Sequence, residues 1–406
     1  MTRRLPGLRV GIWPVVGTIF IILGLVAGVR RFALGLGAST NLTDQTPWGL
    51  WVGFDLLCGV GLAAGGFTVS ALAYIFRKPE FKAVARPAIL TAFIGYLLVV
   101  GGLIFDLGHP WRIWHPLVMW NHHSVMFEIS WCVMLYTTVL FLEVLAMVSE
   151  RLSWKRATSA LHHLTFPLTL ASVLLSMLHQ SSLGSLFLLV PGRLHELWYS
   201  PLLPLFFFSS AVGVGCAMSI VESDLSARSF GRSLPARSVE ALAKVAAGVL
   251  SFYVVLRLGD LAVRGAWVHV LAFDRASWFF LFEIVIGFIL PIGLLVNPRC
   301  RRNRQWLQLA ARLAVMGFVV NRLDIAVTGF EVVSGYTYVP SWEELSVTLM
   351  LVSIGVFAFH FAGKHLPVFT EEVEMEEMAR RAWVQRSGES LRGLTESVPE
   401  LELTSD

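Results

Sequence analysis

The sequence predicts an all-α, polytopic membrane protein, and three observations carry that prediction. Of the 406 residues, 55% are hydrophobic and only 15% are charged, whereas a soluble domain usually carries about 25% charged residues. The chain has 14 Trp and 28 Phe, which suit bilayer interiors and interfaces. The apolar residues fall into ten runs of the length that a bilayer span needs, about 20 residues each. This composition excludes an ordinary soluble enzyme, and the small net charge of +4 gives no argument for a nucleic-acid partner.

The ten predicted spans follow one another through short connections, which leave no room for a soluble catalytic domain between them. They cover residues 12–29, 48–76, 88–108, 123–148, 161–189, 201–221, 239–263, 278–296, 306–329 and 343–363. A loose similarity between residues 98–108 and 313–324 favours two related four-helix bundles, at 48–189 and 201–329. The remaining segments are an N-terminal helix and loop (1–47), a loop at 190–200, a last transmembrane helix (330–366) and an acidic tail (367–406).

The basic residues predict how the spans run across the membrane. Arg and Lys concentrate in alternate connections, and cytoplasmic connections carry such an excess. With ten spans, this pattern predicts that both termini are cytoplasmic. The first, third, fifth, seventh and ninth spans then run outward.

Five ionisable residues of the first bundle fall at one depth under this topology. Asp55 comes early in an inward span, and Asp106 and His109 come at the end of an outward one. Glu128 comes early in the next span, and His179 comes late in the span after it. Charges within a bilayer are costly and are functional candidates by default. A shared depth in the outer third therefore predicts a polar pocket or a proton relay.

Each of these residues also has a structural interpretation. Asp106 and His109 are compatible with a helix end at the interface, Asp55 with a buried group bonded to a neighbouring helix, and His179 with a satisfied core histidine. The later spans contain further charges, which we interpret as a structural ion-pair network: Arg257, Asp260, Glu283, Arg322 and Asp324.

Ligands for a resident cofactor are scarce. The four cysteines are far apart, so the chain has no c-type haem attachment pair and no iron–sulfur ligand set. His179 and His360 lie near opposite sides of the membrane and cannot share a haem iron. His162 or His163 with His360 is the one haem arrangement left open, and no spacing indicates a metal site.

Three long blocks of the sequence resemble the NrfD/PsrC family of integral membrane subunits, in particular its HybB-type members from hydrogenase-2 enzymes. The blocks are TPWGLWVGFDLLCGVGLAAGGFTVSALAYIF at 46–76, GYLLVVGGLIFDLGHPWRIWHPLVMWNHHSVMFEISWCVMLYTTVLFLE at 95–143, and LSMLHQSSLGSLFLLVPGRLHELWYSPLLPLFF at 175–207. The similarity is dense over most of 46–222 and looser elsewhere.

This resemblance implies two four-helix bundles with flanking helices and no haem or iron–sulfur cluster in this chain. It implies electron exchange with a periplasmic ferredoxin-like iron–sulfur subunit and a site for quinone, menaquinone or ubiquinone, near the periplasmic side. The residues it assigns to the quinone pocket or its proton relay are Asp55, Asp106, His109, Glu128 and His179.

The chemistry of these residues agrees with that role. Quinone reduction takes two electrons and two protons, so titratable groups are needed beside the quinone oxygens. A carboxylic acid such as Glu128 can donate a proton, and an imidazole such as His179 can relay one. The candidate quinone contacts are Trp51, Trp111, His122, His123 and Trp131, although an interfacial aromatic belt predicts the same tryptophans.

We therefore expect a quinone-reactive membrane subunit that is not catalytic alone. The first hypothesis places it with the large and small subunits of a [NiFe] hydrogenase, with proton translocation left open. A second places it in alternative complex III, a polysulfide reductase or another iron–sulfur/cytochrome assembly that oxidises quinol. A third is a proton-coupled transporter. The proteins that co-purify with the chain discriminate among them.

Overall fold

The computed structural model describes residues 12–369, and within that range the protein contains helices and no β-strands. Ten helices are long and apolar enough to cross a membrane, so the predicted all-α membrane fold and the number of spans are confirmed. They are α1 (Ile12–Leu34), α2 (Trp51–Ile75), α3 (Pro79–Asp106), α4 (Val125–Arg151), α5 (Thr165–Leu189), α6 (Leu203–Phe230), α7 (Ala236–Val263), α8 (Arg275–Val296), α9 (Arg304–Ser334) and α10 (Trp342–His365).

Short helices occupy several of the connections between these spans. They are Leu36–Ser39, Pro110–Arg112, His115–Val118, Lys155–His163, Trp267–Val270 and Pro298–Arg302. The predicted tail lies beyond Phe369, outside the described residues, except for its first three positions.

Several helices extend past the apolar runs that predicted them. Helix α3 begins at Pro79 instead of residue 88, and α6 ends at Phe230 instead of residue 221. The added turns carry charged residues, such as Glu222 and Asp224 in α6, at which an apolar run stops. These charges are buried or paired in the structure, so the helix continues through them.

The spans pack as two rings of four helices and one flanking pair. Helices α2–α5 surround one core (the first ring), and α6–α9 surround another (the second ring). Helix α6 also packs against α2 and α5, and α9 packs against α2, so the rings share an interface. Helix α1 pairs with α10, which packs in turn on α3. The domain boundaries drawn from the sequence stay predictions.

Side-chain contacts identify which helix ends share a face of the protein. One face, which we call the basic face, holds the start of α3 beside the end of α4, where Arg86 donates to both carboxylate oxygens of Glu150 at 2.9 and 2.8 Å. It also holds the end of α6 and the start of α9. On the opposite face, Arg31 at the end of α1 donates to the carbonyls of Phe105 and Leu107 at 2.8 and 2.7 Å.

Four stretches of the spans are π-helical. They are Trp51–Cys58, Ala71–Ile75, Phe282–Ile289 and Asp324–Thr328. Three of them contain a buried carboxylate near the opposite face, namely Asp55, Glu283 and Asp324. A π-helical turn adds a residue to the helix and is frequent at functional sites.

Candidate functional site

A stripe of polar residues runs along one face of α5 through the first ring. Its members recur every three or four positions, which places them on one side of the helix. They are Thr165, Thr169, Ser172, Ser176, His179 and Ser182, of which all but Thr165 are buried. Thr165 and Ser182 are 17 positions apart, or about 25 Å at 1.5 Å per residue, which is close to the thickness of a bilayer core.

Helices α3 and α4 present matching polar groups to this stripe. Ser172 donates to Glu143 of α4 at 3.3 Å. His179 Nδ1 and the hydroxyl of Tyr96 in α3 are hydrogen-bonded at 2.8 Å, and the Tyr96 ring meets Tyr136 of α4 edge to face at 4.6 Å.

Ser176 lies between these two groups. Its hydroxyl lies near those of Tyr96 and Tyr136, beyond strict hydrogen-bond geometry. We call this set of six residues the polar column: Glu143, Ser172, Ser176, Tyr136, Tyr96 and His179.

At the basic face, the column leads towards an open cavity. Glu150 lies two helical turns, about 10 Å, beyond Glu143 on α4, and Tyr74 interacts electrostatically with both carboxylates. Glu150 Oε1 is also hydrogen-bonded to His162 Nε2 at 2.8 Å. The cavity has a volume of about 650 Å³ and is lined by Glu150, Ser153, Lys155, Thr158, Ser159, His162 and His163.

At the opposite face, the stripe ends on an exposed carboxylate. Ser182 lies one turn beyond His179 and donates to Glu128 Oε1 at 2.7 Å. Glu128 lies in the first turn of α4, where Ser124 caps the helix by accepting from the amide of Phe127. A cap of this kind fixes the start of the helix and so places Glu128 beside α5.

An aromatic cluster lies next to Glu128. The rings of Trp120 and Trp131 are 5.1 Å apart, and Phe127 lies 5.8 Å from Trp120 and 6.2 Å from Trp131. Trp131 follows Glu128 by three residues, so the two share a face of α4. The arrangement offers a flat apolar surface next to a carboxylate.

Asp55 and Asp106 lie in a different place, between α2, α3 and α10. Thr348 donates to Asp55 Oδ2 at 2.7 Å, and a side chain at Gly102 of α3 would meet Asp55 at 3.1 Å. Asp106 interacts electrostatically with Asp55 and with Arg31. In the described part of the chain no hydrogen bond joins this group to His179 or Glu128.

Tyr338, in the connection between α9 and α10, interacts electrostatically with Asp106 of the same group. It donates to Glu344 at 2.5 Å and accepts from the Leu50 amide at 2.8 Å. Burial, followed by its hydrogen bond to Glu344, raises the pKa of the Tyr338 hydroxyl above its ordinary value.

The remaining predicted residues divide between the surface and the core. His109 and Trp111 are exposed and in ring contact at 5.1 Å, and His122 and His123 are exposed and 4.2 Å apart. Trp51 is buried and donates to the carbonyl of Glu344 at 3.2 Å. Its ring packs in a hydrophobic cluster with Ala27, Val347, Met350 and Leu351.

The second ring contains a buried network whose uncharged members the sequence did not identify. Glu283 accepts from Trp198 at 3.0 Å and from Asn321 at 2.8 Å. Arg322 donates to Asn321 at 2.5 Å and stacks on Phe207, with its guanidinium carbon 3.8 Å from the ring centre.

In residues 12–369, the other predicted charges of the second ring form no salt bridge with one another. Arg257 donates to the carbonyl of Leu197 at 2.6 Å, and Asp260 pairs with Arg264 at 2.9 Å. The ion-pair network predicted for these spans is therefore not formed as such: in the described part of the chain no salt bridge joins two of the five predicted charges, and Glu283 and Arg322 are connected through hydrogen bonds to Asn321. No group of three or more His, Cys, Asp or Glu side chains in residues 12–369 is placed to hold a metal ion.

Comparison with known proteins gives a consistent result. The family model described as "Polysulphide reductase, NrfD" matches residues 38–334. A protein of Nitratidesulfovibrio vulgaris is 37% identical over 370 residues, 88% of this chain and 95% of that protein.

Two relatives with informative names cover nearly the whole chain as well. The Escherichia coli "Probable Ni/Fe-hydrogenase 2 b-type cytochrome subunit" is 32% identical over 354 residues, 86% of this chain and 90% of that protein. The "Menaquinone reductase, integral membrane subunit" of N. vulgaris is 28% identical over 397 residues, 89% and 93% of the two chains.

Proposed function

The chain belongs to the NrfD family of membrane proteins, and from that premise we propose that it is the quinone-reactive integral membrane subunit of a respiratory oxidoreductase complex. The names of two relatives support this role, since one is a menaquinone reductase subunit and the other a hydrogenase 2 subunit. We further propose a [NiFe] hydrogenase as the source of electrons, because the hydrogenase relative exceeds 30% identity across most of both chains.

One observation carries the proposal: a hydrogen-bonded carboxylate at the exposed end of a buried polar column. Glu128 holds the position where a lipid-dissolved quinone head can approach, beside the rings of Trp120 and Trp131. Aromatic rings stack favourably against a flat ring. The Glu128 carboxyl can then donate a proton to a quinone oxygen, and Ser182 holds the carboxyl in place.

The polar column supplies a route for replacing that proton. Glu143 can exchange protons with the basic face through Glu150 and the cavity beside it. From Glu143, the hydroxyls of Ser172, Ser176 and Tyr136 lead to Tyr96 and His179. His179 lies one turn from Ser182, so the last step reaches the proposed quinone position.

Electrons reach the quinone from a partner on the opposite face in this proposal. The connection between α3 and α4, directly before Glu128, exposes several large apolar side chains: Trp111, Trp114, Leu117, Val118, Met119 and Trp120. Exposed apolar side chains grouped in a connection between spans are typical of an interaction surface. We assign this connection to the contact with an iron–sulfur subunit, which passes electrons on from the hydrogenase large and small subunits.

The proposal routes no step through a haem in this chain. The name of the E. coli relative includes a b-type cytochrome, and a haem within a bilayer needs two axial ligands that face each other. In residues 12–369, His179 is the one fully buried histidine, so no second buried histidine faces its free Nε2 as the other axial ligand. His360 stacks instead on Phe230, so these side chains do not fit a bis-histidine haem.

The substitution Glu128→Gln tests the proposal, because it keeps the shape of the side chain and removes its proton. In the purified complex, we expect quinone-linked turnover to fall by about 10²-fold or more, the size of a general acid contribution. Reduction of an artificial dye by the same complex should remain, since it does not use the quinone position.

Glu196→Gln is the matched control, because Glu196 is also exposed on the opposite face and pairs there with His269 at 3.1 Å. We expect that variant to keep full turnover. Unchanged quinone activity in Glu128→Gln would contradict the proposed role of Glu128. Mass spectrometry of the purified complex identifies the partners, and a chain that is active without an iron–sulfur subunit would contradict the proposed assembly.

A further inference from the structure

Three arginines converge on one buried carboxylate at the basic face of the second ring. Asp224 of α6 is fully buried, and it pairs with Arg228 at 2.9 Å, with Arg304 at 2.5 Å and with Arg312 at 3.6 Å. The arginine side chains themselves remain 60%, 49% and 52% exposed. The carboxylate therefore fixes three guanidinium groups that still face outward.

The charges of this cluster do not balance. Three guanidinium groups and one carboxylate leave a local charge of +2. Each guanidinium has five N–H donors, and one carboxylate offers about four acceptor sites, so most of the donors are available to another acceptor. A planar, fixed array of such donors matches the oxygens of a phosphate group.

The guanidinium groups line a cavity between α6 and α9. Its volume is about 430 Å³, and its walls are Arg228, Arg304, Gln305, Gln308, Leu309 and Arg312. Gln308 is held in place because its amide nitrogen donates to the carbonyl of Ile220 in α6 at 3.1 Å. The cavity is large enough for a phosphate ester with a small polar substituent.

The position of Arg312 relates the cavity to the lipid. Arg312 lies eight residues into α9 from Arg304, about 12 Å further from the basic face, and its long side chain reaches back towards Asp224. Basic side chains inside a span behave in this way to bring their charge to the headgroup level. Apolar side chains beside the cavity, Leu225, Trp306 and Leu309, are exposed on the outer surface of the spans.

We propose that this cavity binds the headgroup phosphate of an anionic phospholipid, with the acyl chains lying along the exposed apolar surface of α6 and α9. Charge complementarity and the adjoining apolar surface together favour a lipid over free phosphate, which would gain nothing from Leu225, Trp306 or Leu309. Basic pockets between spans are a known type of site for anionic headgroups.

The test measures lipid retention by the purified, delipidated complex in native mass spectrometry, with phosphatidylglycerol as the probe. The wild type should retain one phosphatidylglycerol per chain more tightly than phosphatidylcholine. Arg312→Gln leaves Asp224 paired with Arg228 and Arg304, so the fold should persist while the affinity for phosphatidylglycerol falls about fivefold. Arg312→Lys keeps the charge and should retain most of the binding.

Arg299→Gln is the matched control, because Arg299 is an exposed arginine on the same face outside the cavity. If Arg299→Gln weakens phosphatidylglycerol binding as much as Arg312→Gln does, the lipid is attracted by the basic face in general. The proposed binding site in the cavity would then be wrong. Equal retention of phosphatidylcholine would also contradict the proposal. Displacement of the lipid by inorganic phosphate at an equal concentration would show a free-phosphate site instead.

Discussion

His179 shows how the environment of one residue changes its interpretation. From the sequence alone, a single histidine in an apolar span is compatible with a satisfied core residue. In the structure its Nδ1 is bonded to Tyr96, while its Nε2 has no hydrogen-bond partner among the described residues, although the side chain is fully buried. A buried polar atom without a partner is costly and calls for an explanation, and a place in a proton route provides one.

Substitution of Tyr96 tests this explanation without deleting the imidazole. Tyr96→Phe removes one hydroxyl and leaves His179 Nδ1 buried without its partner, so the expected cost in stability is about 1 to 3 kcal/mol, and the complex should still assemble. If the hydroxyl passes protons to His179, quinone-linked turnover should fall about 10²-fold, and its solvent deuterium isotope effect should change.

Tyr253→Phe provides the comparison, because Tyr253 is equally buried in the second ring, where its ring contacts Phe288. We expect that variant to retain turnover. Equal turnover in Tyr96→Phe and the wild type would contradict proton transfer from the Tyr96 hydroxyl to His179.

At the scale of elements, the two rings differ in how far polar groups extend through them. In the first ring, the stripe on α5 continues from Thr169 to Ser182. In the second ring, apolar residues separate the network around Glu283 from the basic face, and α8 crosses α9 so closely that a side chain at Gly317 would lie 2.2 Å from Gly287. We therefore assign the proposed proton route to the first ring.

The substitution Glu143→Gln tests that route at its entrance. Glutamine preserves the hydrogen bond from Ser172 but cannot exchange a proton. In proteoliposomes, we expect proton uptake on the basic-face side during quinone reduction to be lost and turnover to fall about tenfold or more. A pH-sensitive dye enclosed on that side measures the uptake.

Glu240→Gln is the control at the same face of the second ring, where Glu240 interacts with Lys244 and Arg301. Its proton uptake should equal that of the wild type. Normal uptake from the basic face in Glu143→Gln would show that protons enter there by a route that does not use Glu143, and no uptake from that face in the wild type would show that they enter from the opposite face.

Part of the polar stripe on α5 can be recognised in the sequence. The spacing of Thr165, Thr169, Ser172 and Ser176 is visible in the letters, and it would have placed these hydroxyls on the face of His179. What it did not contain is the partner of each hydroxyl. Tyr96 and Tyr136 resemble ordinary core aromatics until the packing of α3 on α4 brings them to α5.

At the scale of the whole molecule, an even number of candidate spans should bring Ile12, where α1 begins, and His365, where α10 ends, to the same side of the membrane. The basic face should be cytoplasmic, since Arg and Lys concentrate in its connections. Fusions at the C-terminus test this: green fluorescent protein should fluoresce there, and alkaline phosphatase should be inactive. Activity of the alkaline phosphatase fusion would show the opposite orientation, with the proposed quinone position at the cytoplasmic side.

The sequence by itself determined the fold class, the number of spans and the resemblance to the NrfD family, because hydropathy is a local property that a run of about 20 residues expresses without its neighbours. The tertiary structure decided which ionisable residues meet. It separated Asp55 and Asp106 from Glu128 and His179, which a common depth had grouped together. Depth defines only the position of a residue along the membrane normal. Contact between two residues also depends on how each helix is rotated about its axis and which helices lie next to it. Both are set by packing between segments that are far apart in the chain.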